Sequence, residues 1–319
     1  MAKQAIQLSK KKRTIYRFQK LKMCKKCHRY SVLKDETCPT CGTKFAGIEN
    51  LVKSISKKRL TTEVIRLLLV VCLGILFAPT IHTMYYSLFA GLIFCTCYIA
   101  LNSMFLKSEY FHQLKKLLRV DFRKIQAGIQ FDSDLAKADI TEAKLAQADE
   151  KLREIGDLIS TDRMKIRRVM VLNKIALRSD MELELEPLIP SSYDKNFVKY
   201  ALEVVKINRT LMTKKGIAYF IHYRDAIVID FGMDSLIAAA GTALRMKLYI
   251  LEFAPFIEEF LDYFPKERVL RLCNIIHANP EIDWGGLKET TLRLVAKKYS
   301  YDPDFKRFMR GKERVFSHA

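Results

Sequence analysis

The chain has 319 residues, long enough for two or more independently packed units. Half of them are hydrophobic and 28% are charged, a composition that excludes global disorder. A formal net charge of +20 calls for a balancing surface or partner, and charge alone leaves anionic lipid, nucleic acid and acidic protein faces open.

The charge is concentrated at the start. Residues 1–60 hold seventeen Lys or Arg against three acids (Asp35, Glu36 and Glu49), so the first fifth of the chain carries most of the surplus. Residues 1–20 read as a basic, flexible leader containing Lys10, Lys11, Lys12 and Arg13. Such a leader either solvates the chain or contacts phosphates of lipid or nucleic acid. Lys57, Lys58 and Arg59, in a basic linker over 47–61, form a second candidate set for phosphate or anionic lipid. No cleavable signal sequence opens the chain, so its eight cysteines are expected to be reduced.

Four of those cysteines cluster. Cys24-Lys-Lys-Cys27 and Cys38-Pro-Thr-Cys41-Gly42 are two Cys-x-x-Cys knuckles with ten residues between them. A tight turn brings both thiolates of each knuckle to one side. Four thiolates then complete the tetrahedron of a closed structural Zn²⁺ site. Pro39 and Gly42 supply turn chemistry, a fixed φ and a permitted positive φ. A redox dithiol pair lacks the surrounding βαβ pattern, and two disulfides need an oxidising compartment. Residues 21–46 resemble the zinc-ribbon family, and the resemblance implies a small metal-stapled hairpin. Four thiolates on one Zn²⁺ carry a net charge of about −2, which Lys25, Lys26, Arg29, Lys34 and Lys44 are placed to offset. His28 is surplus to a four-sulfur shell.

From Leu67 to Leu106 the chain runs forty residues without Asp, Glu, Lys or Arg. This predicts a transmembrane helical hairpin over 62–106, with spans at 62–78 and 84–104 and a break at Pro79–Thr83. Basic flanks on both sides and none in the loop predict a multi-pass integral membrane protein with both termini in the cytosol and the lipid bilayer as partner. His82 and His112 flank the second span as interfacial residues.

Residues 107–130 predict a basic amphipathic helix, with Leu114, Leu117, Leu118, Phe122, Ile125 and Ile129 at spacings of three and four. Residues 131–319 read as a cytosolic helical domain, a bundle or irregular α-solenoid without a strict repeat. Two helices are expected over 132–180, and others near 192–212, 235–263, 266–277, 286–300 and 304–310. Residues 216–230 fit a β-hairpin equally well, because periodicity does not arbitrate short apolar runs. Trp284 reads as a packing anchor.

Asp230-Phe231-Gly232 matches a kinase tripeptide, but no phosphate-cradling glycine loop accompanies it. No nucleophile elbow or His-Glu-x-x-His is present either. The sequence therefore points to a mainly α, membrane-anchored adaptor, scaffold or assembly factor. A zinc ribbon and a helical domain would bind a protein partner. A nucleic-acid- or ribosome-binding protein is the alternative, and an enzyme with a site in the C-terminal domain is a third.

Overall fold

A computed structural model describes residues 3–11, 14–77, 80–104 and 106–309, apart from the side chains at 99 and 102–107. Lys12, Arg13, Pro79 and the expected helix end at Arg310 lie outside the described residues. The described chain is mainly helical, with one three-stranded sheet, and divides into two compact units.

The first unit, Lys11–Ile159, opens with a 3₁₀ turn at Arg17–Lys20. Strands β1 (Lys22–Cys24), β2 (Tyr30–Ser31) and β3 (Phe45–Gly47) follow in the antiparallel order β2-β1-β3. Met23 pairs with Tyr30 on one side and Ala46 on the other. The sheet then runs directly into helix α1 (Ile48–Leu76), whose first N–H donates to the Leu21 carbonyl at 2.9 Å. Residues 48–61, expected as a linker, are thus the start of a helix. Helices α2 (Ile81–Met104), α3 (Leu106–Val120), α4 (Phe122–Thr141) and α5 (Leu145–Leu158) complete the unit.

The amphipathic pattern expected over 107–130 is split at Asp121, and α4 continues it to Thr141. The buried stripe of α4 is Ile125, Gly128, Ile129, Asp132, Ser133, Ala136 and Asp139. It faces the sheet at one end and α5 along its length, where Ala148, Leu152 and Ile155 are buried. The core of this unit is therefore shared between strands and helices.

The described residues do not support the expected transmembrane hairpin. Among the described residues no helix is long and apolar enough to cross a membrane, which overturns the multi-pass reading and the cytosolic topology inferred from it. The forty-residue charge-free run is divided among three helices. Within α1 it covers only Leu67–Leu76, about 15 Å at the helical rise, half a bilayer's hydrocarbon core. The rest of α1 carries Lys53, Lys57, Lys58, Arg59, Glu63 and Arg66. Helix α2 is interrupted by His82, Thr83, Ser87, Thr96, Asn102 and Ser103. The charge flanks consequently say nothing about sidedness. Helices α1 and α2 pack on each other and still leave large apolar side chains exposed, Leu68 at 54% and Phe89 at 65% among them.

The second unit comprises Met1–Lys10 and Ser160–Ala319. Its helices are α6 (Asp162–Leu172), α7 (Lys195–Ile207), α8 (Lys214–His222), α9 (Arg224–Phe231), α10 (Met233–Ala243), α11 (Lys247–Glu252), α12 (Ala254–Phe260), α13 (Lys266–Ala278), α14 (Gly286–Lys298) and α15 (Lys306–Met309). The leader is anchored here. Gln4 bridges Ile175 in parallel, donating to the Lys174 carbonyl at 2.9 Å and accepting from Ala176 at 2.8 Å. The Asp194 carboxylate caps α7 by accepting from the Phe197 N–H at 2.7 Å.

Residues 216–230 are helical (α8 and α9), not a hairpin. Packing decided what periodicity did not: Tyr219 lies edge-on to Phe197 at 4.9 Å and receives the Asp194 N–H at 2.9 Å. The Asp230-Phe231-Gly232 tripeptide ends α9. Asp230 accepts from Tyr193 at 2.6 Å and Lys195 at 2.7 Å, a structural role. Trp284 is buried and donates its indole N–H to the Asn279 carbonyl at 3.1 Å.

Candidate metal centre

Cys24 closes β1, and the two knuckles fold as equivalent turns. In the first, the His28 N–H donates to the Cys24 carbonyl at 3.0 Å and the Cys24 N–H to the Arg29 carbonyl at 2.8 Å. In the second, Gly42 donates to Cys38 at 2.8 Å and Cys38 to Thr43 at 2.9 Å. The residue after each knuckle is left-handed, His28 at φ 57° and Gly42 at φ 69°. Glycine adopts that region without cost, whereas a non-glycine residue there loses roughly 1–2 kcal/mol. The turn signal at Gly42 is legible in the sequence, but its counterpart at His28 is not.

This repeated turn brings the four sulfurs together. Cys24 and Cys41 approach to 3.3 Å, Cys27 and Cys38 to 3.5 Å, and Cys27 and Cys41 to 3.8 Å. All four ligand atoms lie within 4.8 Å of one another. A disulfide needs about 2.05 Å, so the contacts are not bonds. A tetrahedron with arms of about 2.3 Å has edges near 3.8 Å, and the cluster matches that size. The donor set therefore fits one tetrahedral thiophilic ion. No other group of three or more potential ligands is assembled among the described residues.

The thiols are electrostatically unequal. The Thr43 hydroxyl and backbone N–H hold Cys41 down to about 6. Burial opposes ionisation of Cys38, yet backbone N–H groups of Thr40 and Cys41 draw it below the usual thiol value. The Arg29 N–H favours the Cys27 thiolate, but burial and its three sulfur neighbours push it up to about 12. Sulfurs crowded in this way share protons until a cation replaces them.

The site is built into the helices. Asp132 of α4 is 1% exposed and accepts from the Ser31 hydroxyl and the Val32 N–H, both at 2.9 Å. Burial pushes its carboxyl above the usual range, against the pull of those two donors and of Arg29. Arg29 lies 3.6 Å from Asp132, 3.2 Å from the centre of the Phe131 ring, and donates to the Thr40 hydroxyl at 2.8 Å. It thus ties the second knuckle to α4. At Gly128 an added Cβ would stand 2.2 Å from the Tyr30 carbonyl oxygen, so strand and helix touch backbone to backbone. Tyr30 itself donates to Asp121 at 2.7 Å.

Two other sequence candidates are engaged within this unit: Lys11 with Asp157 at 3.1 Å and Arg59 with Glu109 at 2.5 Å. Lys10, Lys57 and Lys58 are exposed. Arg29 and Lys34, expected to offset the metal charge, pair with Asp132 and Glu150. Sequence reading missed Gly128 and Asp132. Their signal was a glycine and an acid four residues apart on the apolar stripe of a helix. No family model, curated protein or solved structure matches the chain.

Proposed function

We propose that Cys24, Cys27, Cys38 and Cys41 hold one structural Zn²⁺ in a zinc-ribbon-like module, and that the chain is a protein-binding adaptor or scaffold. Four sulfurs at tetrahedral spacing carry the metal reading. They fill the coordination shell, leaving no open position for a substrate or activated water. The test is metal analysis with native mass spectrometry of full-length protein. One zinc per chain is expected, and one iron, or free alkylation of Cys24, Cys27, Cys38 and Cys41 in metal-replete protein, overturns the assignment.

The binding role is supported by the exposed apolar side chains of α1 and α2. Leu69, Val70, Phe89 and Leu92 are each more than half exposed, an arrangement typical of surfaces that a partner covers. Crosslinked affinity capture with wild type and a Leu69→Glu/Phe89→Glu variant tests it. One stoichiometric protein, lost in the variant, is expected. Capture of none, or of the same protein by both, refutes the role.

The nucleic-acid reading rests on Lys25, Lys26 and Lys44, exposed around the knuckles without a carboxylate partner among the described residues. It is weakened because Lys11, Lys20, Arg29 and Lys34 neutralise carboxylates of their own unit. Retention of nucleic acid at low salt that falls steeply with added salt would favour it.

A further inference from the structure

A cavity of about 500 Å³ lies where α1, α2 and α3 meet, within the Lys11–Ile159 unit. Its walls are Leu60, Tyr98, Tyr110 and Phe111, with Lys53, Ser56 and Lys57 along the α1 side. This volume falls in the range of small-molecule sites, and its lining joins these four apolar or aromatic side chains to six polar or charged ones, Arg59, Glu63 and Glu109 being the others.

Three observations define the chemistry of its occupant. Lys53 and Lys57 stand one helical turn apart and have no carboxylate partner among the described residues. The other charges at the cavity are matched, Arg59 with Glu109 at 2.5 Å and Glu63 with Arg66 at 3.0 Å. Two positive charges are therefore surplus at this wall. Second, the Ser56 hydroxyl is buried and has no hydrogen-bond partner. A helical serine ordinarily satisfies itself on the carbonyl four residues back, so a buried orphan beside two lysines is suited to an anionic oxygen. Third, the apolar surface continues beyond the cavity. Val64 and Leu68 lie one and two turns beyond Leu60 on α1, and Phe94 lies one turn before Tyr98 on α2. Leu68 and Phe94 are 54% and 62% exposed.

We infer that this cavity binds a single-chain anionic amphiphile, its carboxylate or phosphate head against Lys53, Ser56 and Lys57 and its acyl chain against Tyr98, Tyr110 and Phe111. A compact aromatic anion would use the cavity alone. An acyl chain also covers the apolar surface that leads away from it. The site shares no residue with the cysteine cluster and does not depend on the metal.

The test is isothermal titration of full-length protein with dodecanoate, dodecyl phosphate and dodecyltrimethylammonium, each below its micellar concentration. One anion per chain is expected, and the cation should bind at least on the order of tenfold more weakly. Whichever of the two anions binds tighter identifies the head group. Lys53→Gln and Lys57→Gln, at exposed positions that leave the fold intact, should each weaken the anion several-fold to tenfold. Phe111→Ala should weaken both anions alike. Equal binding of the cation, uptake of many molecules per chain, indifference to both lysine substitutions, or binding to anionic vesicles alone overturns the proposal.

Discussion

The joint between β2 and α4 can be tested with one methyl group. Replacing Gly128 by alanine puts a Cβ 2.2 Å from the Tyr30 carbonyl oxygen and 2.9 Å from its carbon. To reach 3.0 Å, the shortest contact real Cβ atoms make, strand and helix must part by about 0.8 Å. The obstacle is backbone, so no rotamer relieves it. Overpacking of this kind costs about 1–3 kcal/mol. Moving β2 also strains the two donors on Asp132, hydrogen bonds to charge worth about 1.5–3 kcal/mol each. Against this, alanine gains about 1 kcal/mol of helix propensity over glycine. The net expectation is destabilisation of this unit by about 2–3 kcal/mol. Gly156 of α5 is the control, because nothing lies within 4 Å of its added Cβ. Gly156→Ala should stabilise by up to about 1 kcal/mol. The lone Trp284 lies in the other unit, so its fluorescence is the wrong probe. Hydrogen exchange read on peptides from β1–β3 and α4 is the right one. A loss of 2 kcal/mol appears there as roughly 30-fold faster exchange. If Gly128→Ala slows exchange as Gly156→Ala does, the backbone contact does not exist.

Four further outcomes follow from the same unit. Cys27→Ser and Cys38→Ser should each reduce bound metal from one equivalent toward none. Because Cys27 is pushed up to about 12, metal binding at pH 7 must displace its proton, so affinity should rise from pH 6 to pH 8 in chelator competition. A flat profile contradicts thiolate ligation. His28→Gly should stabilise by about 1 kcal/mol and leave metal affinity unchanged, since it relieves a left-handed residue that supplies no ligand. Metal loss in that variant would make His28 a ligand. Finally, burial alone would raise the Asp157 carboxyl, but Lys20 and Lys11 hold it below its ordinary value. A depressed carboxyl contributes stability above the unfolded value of about 3.9, and that stability is lost as pH falls through the folded value. Lys20→Met also strips the buried Glu154 of its partner at 2.5 Å. It should cost about 2 kcal/mol at pH 7, below the 3–5 of a wholly buried pair because Asp157 keeps some solvent. The deficit should shrink between pH 5 and pH 2 in urea titrations, and a constant deficit would exclude the ion pairs as its source.

What could be read from sequence was what is local. The cysteine knuckles assemble because each is a five-residue turn whose hydrogen bonds close on themselves, and Gly42 marks one of them openly. Helices such as α7, α13 and α14 were likewise legible from periodicity and the flanking Pro-containing stretches. The contacts that place the sheet were not, because Ser31 and Asp132 are a hundred residues apart and nothing local pairs them. An acid on an apolar stripe announces a buried partner without saying which. The membrane reading failed for a related reason. A count of uncharged residues measures composition, whereas spanning depends on how much of that run falls within one helix. Here the run is shared among α1, α2 and α3, and charged turns of α1 lie on the same helix as its apolar end.

The packing of the sheet also alters the thermodynamic role of the metal. An isolated module of about 25 residues has no core, and metal binding would then supply its folding free energy. In this chain Leu21, Tyr30, Val32, Leu33, Ile48 and Val52 are all at most 4% exposed. At about 1.5–3 kcal/mol for each buried apolar side chain, their gross burial is on the order of 10 kcal/mol. That rivals the roughly 10–16 kcal/mol of a structural zinc. With the proposed ion bound, the strands would have two anchors of similar strength, the metal at the knuckles and the packing against the helices. Cys27, His28 and Gly42 are exposed and would depend on the first anchor, whereas Tyr30, Ser31 and Val32 depend on the second. Chelation of the metal should accordingly release the knuckles and leave the joint with α4 closed. Hydrogen exchange checks this directly. Protection should fall across 24–28 and 36–45 while 122–141 stays within about twofold of the metal-bound state. Equal loss in α4 would mean that the helices do not hold the strands without the ion. Unchanged knuckles would mean that their backbone hydrogen bonds suffice without it.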